Sequence, residues 1–408
     1  MSTQTITPVL LGADLNCYNI ARAFHEKYGV KSYAFGRYAI APTKYSTIVN
    51  FTIEPQIDTD SVMLDTLHRF ADAHIGDKMI LMGCTDDYAA MIIRNREELS
   101  DFITPYPPAS LLDSVAKKAQ FYETCDKFGL PYPKTVILDG PATDYSADTL
   151  GFAYPIIVKP SSSVDYWKHP FDGMKKVYTA KDPTEVAAIV QEIYASGYPD
   201  RMILQEMIPG GDSHMRVFTT FSDENGKVRA MCLGHTMLEE HTPKGLGNHA
   251  AILTEPVSTL PIAEKIKDML ESIGYTGFAN FDIKCGDDRT DYRLFEINLR
   301  QGRSNYYLTA AGLNVAELVC EVYGSSGDEC VRVENEVFWH LIPKSVAYAY
   351  TDDIELVNRA KALTKAGKES SSLWYPADMC KSPLRLLCVL EQLRRQKKKY
   401  ATYCKKYR

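Results

Sequence analysis

The chain has 408 residues, of which 45% are hydrophobic and 24% are charged, and its formal net charge is −6. This length and composition indicate a globular protein with two or three packed units, and no apolar run reaches the length that a membrane span needs. The acidic balance gives no overall reason to expect binding to nucleic acid.

The cysteines indicate a reducing compartment. The ten of them are scattered and form neither a C-x-x-C pair nor a Cys/His zinc spacing, which favours free thiols over a disulfide framework. The first residues, Met1–Thr5, lack the basic and apolar regions of a signal peptide. We therefore expect a cytoplasmic protein.

The first hundred residues alternate short apolar runs with amphipathic stretches. This alternation predicts a parallel, doubly wound α/β sheet, in which ligands sit beyond the carboxyl ends of the strands. Asp14 and Asn16 follow the first strand and are candidate substrate residues, although they would also serve as caps of the next helix. The predicted strands are 8–12, 31–35, 46–51 and 78–83, and the predicted helices are 16–28, 61–74 and 86–98.

From Leu111 onward the strands mostly succeed one another directly, which indicates a mixed α+β fold. We place a domain boundary there and predict three domains, over residues 1–110, 111–330 and 331–408. The second domain divides into a small lobe over about 111–205 and a large lobe over about 206–330. The predicted helices are 111–128, 183–196, 261–273 and 313–323, and the predicted strands are 134–138, 155–160, 175–180, 202–207, 215–221, 227–234, 278–284 and 292–298.

Oxygen-bearing side chains lie on the last two of these strands. Glu296 and Asn298 are two residues apart and therefore share a face, and Asp282 lies on the preceding strand. Carboxylates and an amide oxygen suit a hard cation such as Mg²⁺, with Mn²⁺ as an alternative, which takes its remaining ligands from water and phosphates. The three residues predict a metal site that serves a nucleotide.

Two other strand ends suit a nucleotide. Lys159 ends a buried strand just before three serines, so its ammonium group and nearby backbone N–H groups suit phosphate oxygens. A strand over 202–207 runs into a Pro-Gly-Gly turn, where its backbone can face an adenine edge and Asp212 can accept from ribose hydroxyls. The alternatives are a surface lysine and a strand–turn–strand connection without a ligand.

The segment 244–250 matches G-x-G-x-x-A by letter, but it lacks the strand and helix of a βαβ unit. It therefore predicts a polar loop near a substrate, with Lys244 and Asn248 as candidate substrate residues. No G-x-x-x-x-G-K-[ST] phosphate loop occurs in the sequence.

Taken together and in this order, these features resemble an ATP-grasp enzyme, over roughly residues 111–323. The chain is most similar to the bacterial D-aspartate ligases of peptidoglycan synthesis. The resemblance implies an N-terminal doubly wound pre-ATP-grasp domain, a two-lobed ATP-grasp domain and a C-terminal helical extension. The stretches that carry the finer resemblance are 11–16, 41–46, 121–122, 130–135 and 298–303.

The resemblance also implies roles for individual residues. Arg300, Gly302 and Arg303 would be catalytic, facing the acyl phosphate and the substrate carboxylate, and Ser304 and Asn305 would contact the amino acid. Two departures from the family pattern stand out: residues 161–167 replace a glycine-rich lid, and Asn280 stands where some relatives have an arginine. The implied ATP-binding residues are Lys118, Lys159, Gln205, Glu206, Met207, Ile208 and Asp212, and the implied metal ligands are Asp282, Glu296 and Asn298.

The implied reaction activates the β-carboxylate of D-aspartate with ATP and Mg²⁺ and joins it to the lysine amine of a UDP-linked peptidoglycan precursor, releasing ADP and phosphate. The alternatives are an ATP-grasp ligase for another amino acid or a dipeptide, a phosphotransferase with a stable phosphorylated product, and a non-catalytic nucleotide-binding protein.

The segment 381–408 is strongly basic, with ten Lys/Arg against the single acid Glu391, a balance of +9. It predicts an amphipathic helix that contacts anionic lipid, a basic arm for a UDP-linked substrate, or a helix packed on the protein through its apolar residues. RNA binding is not expected, because no stacking platform accompanies the charge. The apolar residues are Leu384, Leu386, Leu387, Val389, Leu390 and Leu393.

Overall fold

The structure, a computed structural model, describes residues 4–242, 245–286 and 290–408. It divides into two compact units. The large unit comprises Met1–Ala109, Gly211–Asn280 and Asn298–Arg408, and the small unit comprises Ser110–Gly210 and Phe281–Ile297. The two units are defined by how compactly their residues pack, and their boundaries differ from those of the three predicted domains. The three domains stay a prediction.

The first sheet of the large unit is parallel, with the strand order β3-β2-β1-β4, as the alternating pattern predicted. Asp14 caps α1 by accepting from the backbone N–H of Cys17 at 3.2 Å, and Gly29 ends the helix in the left-handed conformation. The strands are β1 (Ile6–Leu11), β2 (Ser32–Gly36), β3 (Val49–Ile53) and β4 (Lys78–Gly83), and the helices are α1 (Leu15–Tyr28), α2 (Asp60–Ala73) and α3 (Asp86–Arg94).

The small unit contains a four-stranded antiparallel sheet in the order β5-β8-β6-β7. Apolar side chains of the sheet and of its longest helix, α8, form its core. The strands are β5 (Thr135–Leu138), β6 (Ile156–Pro160), β7 (Tyr178–Ala180) and β8 (Met202–Glu206), and the helices are α4 (Ser110–Val115), α5 (Lys118–Phe128), α6 (Ala147–Leu150), α7 (Ser163–Trp167) and α8 (Pro183–Ala195).

One sequence prediction in the small unit was wrong in detail. The helix predicted over 111–128 is broken between α4 and α5, because Lys117 has extended backbone and the first N–H groups of α5 bond instead to Ser161. Residues 161–167, which replace the glycine-rich lid of relatives, contain α7, and the Ser162 hydroxyl caps that short helix.

The second sheet has the strand order β13-β12-β9-β10-β11-β15-β16, with β14 beside β10. The helix predicted over 313–323 forms as α11 followed by a π-helical turn over Leu318–Val322. The strands are β9 (Met215–Ser222), β10 (Val228–Glu239), β11 (His249–Glu255), β12 (Gly277–Cys285), β13 (Tyr292–Asn298), β14 (Val331–Arg332), β15 (Phe338–His340) and β16 (Glu369–Ser371), and the helices are α9 (Ala263–Ser272), α10 (Tyr306–Ala310), α11 (Val315–Glu317), α12 (Lys344–Tyr350), α13 (Ile354–Lys365), α14 (Pro376–Met379) and α15 (Pro383–Tyr403).

The basic segment forms the long helix α15, which packs on the large unit through Val389 and Tyr400. A fully buried ion pair fixes it: Nε of Arg385 donates to Asp378 at 2.8 Å. Asp378 also accepts from the Tyr18 hydroxyl and the Thr47 backbone N–H, so the pair joins α15 to α1 and to the segment before β3. Among the described helices, none is both long and apolar enough to cross a membrane.

We expect Arg385→Met to destabilise the protein by about 3–5 kcal/mol, because it leaves the buried Asp378 carboxylate without its cation. The free energy of unfolding from denaturant titration measures this loss. Arg394→Met, on the exposed face of the same helix, is the matched control and should change stability little. Equal effects of the two substitutions would show that the buried pair has no special importance.

Candidate active site

Two lysines and a carboxylate come together in the small unit. Lys118 begins α5, and its ammonium group lies 2.8 Å from the Glu296 carboxylate on β13. It also donates to the Ser163 hydroxyl at 3.3 Å. Lys159 lies near the end of β6 with only 6% of its surface exposed.

Neutral polar groups hold the Lys159 ammonium in place. It donates to the Gln205 side-chain oxygen at 2.9 Å and to the Tyr122 hydroxyl at 3.2 Å. Gln205 in turn donates to Tyr122 and to Thr135, and Tyr122 donates to the backbone carbonyl of Phe295. The predicted role of the Gln205 backbone at an adenine-binding edge stays a prediction, and the Gln205 side chain holds the Lys159 ammonium. We call Lys118, Tyr122, Lys159, Gln205 and Glu296 the lysine cluster.

The charges of the lysine cluster shift one another's pKa values. Burial lowers the pKa of Lys159 to about 7, with a further lowering from Lys118 and opposition from Glu296 and Asp282. Burial acts to raise the pKa of Glu296, but Lys118, Lys176 and Lys159 outweigh it and hold that pKa well below its usual range. Glu296 therefore stays ionised at neutral pH. Lys159 takes up or releases a proton at a pH close to neutral.

The predicted metal ligands offer oxygen donors of the right kind for Mg²⁺. Glu296 is an ionised, largely buried carboxylate. The side-chain nitrogen of Asn298 donates to the backbone carbonyl of Asn280 at 3.4 Å. No group of three or more His, Cys, Asp or Glu with metal-binding geometry occurs among the described residues. The predicted metal ligands are two carboxylates and an amide, so they do not form a group of three His, Cys, Asp or Glu residues. The metal site stays a prediction.

The segment predicted to contact adenine and ribose contains the boundary between the units, which falls after Gly210. In the small unit, the Glu206 carboxylate accepts from the backbone N–H of Lys134, and Met207 and Ile208 follow the end of β8. In the large unit, the Asp212 carboxylate accepts from the backbone N–H of Glu239 at 2.8 Å and lies 2.7 Å from Nε2 of His241.

Both predicted catalytic arginines have acidic partners within the large unit. The Arg300 guanidinium contacts the Asp86 carboxylate at 2.8 and 3.0 Å with two nitrogens, and Arg303 donates to Glu240 at 3.1 Å. Nη1 of Arg303 is enclosed and has no hydrogen-bond partner among the described residues. We call these four residues and Asp14 the arginine cluster.

The position of Asp14 agrees with both of the roles that the sequence left open. Its carboxylate caps α1, and it lies close enough to both arginines to interact with them electrostatically. Burial raises the pKa of Asp14, while the Cys17 N–H group, Arg303 and Arg300 act to lower it. The structure therefore confirms the cap, and the substrate role stays a prediction.

The loop that carries the arginines is held by buried amides. The Asn305 side chain donates to the Asn16 side chain at 2.7 Å and to the Gly302 carbonyl at 3.0 Å, and Asn16 donates to the Cys84 carbonyl. Gly302 is needed at its position, because a Cβ there would lie 2.7 Å from the Asn280 side-chain oxygen. Asn16 and Asn305 were predicted to contact substrate, and both are buried and position this loop.

The remaining predicted substrate residues are Ser304, Asn248 and Lys244, and their substrate roles stay predictions. Ser304 is buried. Asn248 donates to the Gly245 carbonyl within its own turn. Lys244 lies outside the described residues.

Three residues of the two clusters carry no clear sequence signal: Tyr122, Asp86 and Glu240. Tyr122 lies in the stretch 121–122, which resembles the ligases. A tyrosine on a predicted helix does not by itself indicate a binding site. Asp86 begins a helix, where an acidic residue is expected for helix stability alone. Glu240 pairs with Arg303 across 63 sequence positions, so only the tertiary structure reveals it.

The chain matches no protein-family model, but it is similar to known proteins. It is 38% identical over 395 residues to a D-aspartate ligase of Enterococcus faecium, and the match covers 93% of this chain and 92% of that protein. An L-amino acid ligase from Bacillus licheniformis has a similar structure, with a TM-score of 0.56 and 16% identity over 79% of this chain and 75% of that one.

The biotin carboxylase domain of 2-oxoglutarate carboxylase from Hydrogenobacter thermophilus, solved with MgADP and bicarbonate, has a TM-score of 0.60 and 14% identity over 82% of this chain and 74% of that one. At such low identities the two structures establish the fold, which is that of ATP-grasp ligases. The sequence relationship establishes more: the chain belongs to the D-aspartate ligase family of ATP-dependent carboxylate–amine ligases.

Proposed function

We propose that this ligase acts in the cytoplasm and joins the β-carboxylate of D-aspartate to the lysine side chain of a UDP-linked peptidoglycan precursor. The lysine cluster is the main support for this proposal. A site for ATP phosphates and a divalent cation requires positive side chains beside a carboxylate, and two lysines and an ionised carboxylate converge in this cluster. The choice of substrates rests on the relationship to the D-aspartate ligase of Enterococcus faecium.

The reaction needs an activated carboxylate, because an oxide ion is a poor leaving group. A carboxylate oxygen attacks the γ-phosphorus of ATP, the bond to ADP breaks, and an acyl phosphate forms. The uncharged amine then attacks the carbonyl carbon, the carbon–oxygen bond to phosphate breaks, and the amine nitrogen loses its extra proton. Products are an amide, ADP and phosphate.

The residues of the lysine cluster would bind and orient ATP. Lys118 and Lys159 would contact phosphate oxygens, and Asp282, Glu296 and Asn298 would hold Mg²⁺ or Mn²⁺, which supplies positive charge opposite the phosphates. Tyr122 and Gln205 keep the Lys159 ammonium at a fixed position, so little reorganisation is needed when phosphate arrives.

The arginine cluster would bind the amino acid. Arg303 retains an enclosed N–H group without a partner among the described residues, which suits the α-carboxylate of a substrate. Arg300 and the backbone N–H of Gly302 would stabilise the negative charge that develops on the acyl group. Asp14 would contact the substrate's ammonium group.

A phosphate-release assay tests the reaction. The enzyme is incubated with ATP, Mg²⁺, a panel of D- and L-amino acids, and amine acceptors that include a UDP-linked peptide with a free lysine. We expect release with D-aspartate and that peptide, and a drop of roughly a hundredfold or more in Glu296→Gln, because a metal and phosphate ligand is weakened. Glu391→Gln, which alters an exposed carboxylate, should keep full activity.

Each competing function has a distinct result in this assay. Release with a different amino acid would identify another ligase of this fold, and release without amide formation would identify a phosphotransferase. ATP binding without any acceptor-dependent release would identify a nucleotide-binding protein. Full activity of Glu296→Gln would contradict its assignment to the metal site.

Nucleotide binding should also take up a proton at pH 8. Lys159 has a pKa of about 7, so most of it is neutral at pH 8, and phosphate favours its charged form. At pH 6 the lysine is already charged, and the uptake should disappear. Calorimetry of ATP binding in buffers with different ionisation enthalpies measures the uptake. Lys159→Met should abolish it and Lys127→Met, on the surface, should not; uptake that persists in Lys159→Met would place the proton elsewhere.

Glu240→Gln should raise the KM for the amino acid roughly tenfold or more and leave the KM for ATP unchanged. The reason is that Arg303 loses the charged partner that orients it, and such hydrogen bonds are worth about 1.5–3 kcal/mol. Steady-state kinetics with each substrate varied in turn separates the two constants. A parallel rise in both would indicate a general structural defect instead.

A further inference from the structure

The exposed face of α15 combines leucines with lysines and arginines. Three leucines in its first two turns are strongly exposed: Leu384 by 57%, Leu387 by 63% and Leu390 by 44%. Helical residues three and four positions apart lie on one face, so the sequence 387, 390, 394 and 398 follows that face along the helix. Its first half is apolar, and its second half, with Arg394 and Lys398, is basic.

The positive charge of this segment is largely uncompensated. Of its ten Lys/Arg, Arg385 alone is buried, in the pair with Asp378. Glu391 is the one acid of the segment, and its carboxylate is shared by Arg394 and Arg395. The remaining cations, all exposed, are Lys381, Lys397, Lys398, Lys399, Lys405, Lys406 and Arg408.

We propose that this face of α15 docks on an anionic lipid bilayer, with the leucines inserted among the acyl chains and the cations beside the headgroups. Charge complementarity selects this partner, because a surface of negative phosphates attracts a basic cluster on a protein whose net charge is −6. The exposed leucines supply the apolar contact that a purely electrostatic ligand would not need. The proposal is independent of the reaction proposed above.

The packing of α15 explains how the helix can serve a bilayer without leaving the protein. Arg385, Val389 and Tyr400 lie on the opposite face and are buried, and the Tyr400 hydroxyl donates to the carbonyl of Glu239 at 2.8 Å. The exposed leucines are therefore already fixed in an outward orientation. Docking requires no unfolding of the helix and no loss of the Asp378–Arg385 pair.

Sedimentation of the full chain with lipid vesicles tests the proposal. We expect binding to vesicles of equal parts phosphatidylcholine and phosphatidylglycerol, little binding to phosphatidylcholine alone, and weaker binding as salt increases. The triple variant Leu384→Ala, Leu387→Ala, Leu390→Ala and the double variant Lys397→Glu, Lys398→Glu should each weaken binding about tenfold or more.

Matched controls separate this face from the rest of the surface. Ile53→Ala, Ile75→Ala, Ile354→Ala removes three other exposed apolar side chains, and Lys365→Glu, Lys368→Glu reverses two exposed charges on another part of the large unit. Both controls should bind vesicles as the parent does. Thermal unfolding and phosphate release in solution should be unchanged in all four variants, which shows that each is folded.

Four results would overturn the proposal. The first is equal binding of the leucine variant and the parent to anionic vesicles, and the second is equal binding to the two kinds of vesicle. The third is a dimer in solution that the leucine substitutions dissociate, because a second copy of the chain would then cover this face. Loss of vesicle binding when RNA is added, with RNA bound more tightly than the vesicles, would identify a nucleic acid as the partner and would also overturn it.

Discussion

The ion pair between Lys118 and Glu296 offsets the energetic cost of burying the charges of the lysine cluster. Taking an isolated charge out of water costs several kcal/mol, and the small unit keeps a second ammonium group, that of Lys159, largely buried beside the first. Glu296 offsets both positive charges, while Tyr122 and Gln205 satisfy the donors of Lys159. Without the carboxylate, the two lysines would repel each other at the place where the reaction needs them.

Much of this site was predictable from the sequence, because strands and helix starts place residues without knowledge of tertiary contacts. Lys159 at the end of β6 and Glu296 on β13 are such cases. The contact between the Gln205 side chain and Lys159 on the neighbouring strand β6 was not predictable, because the pattern of β8 says only which groups its backbone presents. The break before α5 was missed for a related reason, since a tertiary hydrogen bond to Ser161 overrides the helical periodicity.

The arginine cluster shows a second limit of sequence reasoning. A guanidinium on a loop has many rotamers, and its position is set by what it contacts. Here Asp86 holds Arg300 across 214 sequence positions, and Glu240 holds Arg303. Each acid reduces the conformational freedom of one arginine, and Nη1 of Arg303 has no hydrogen-bond partner among the described residues. The family resemblance suggested the arginines, and only the fold could identify the residues that orient them.

In α15, one buried interaction likewise determines which residues the opposite face exposes. Arg385 can be buried only because Asp378 neutralises it, and this pair fixes the rotation of the helix about its own axis. Positions 385, 389 and 400 then face the protein. Leu384, Leu387 and Leu390 consequently face outward, although burial would be the ordinary outcome for leucine. A helix free to rotate would bury some of these leucines, so their exposure together is a consequence of the buried ion pair and not of the composition of the segment.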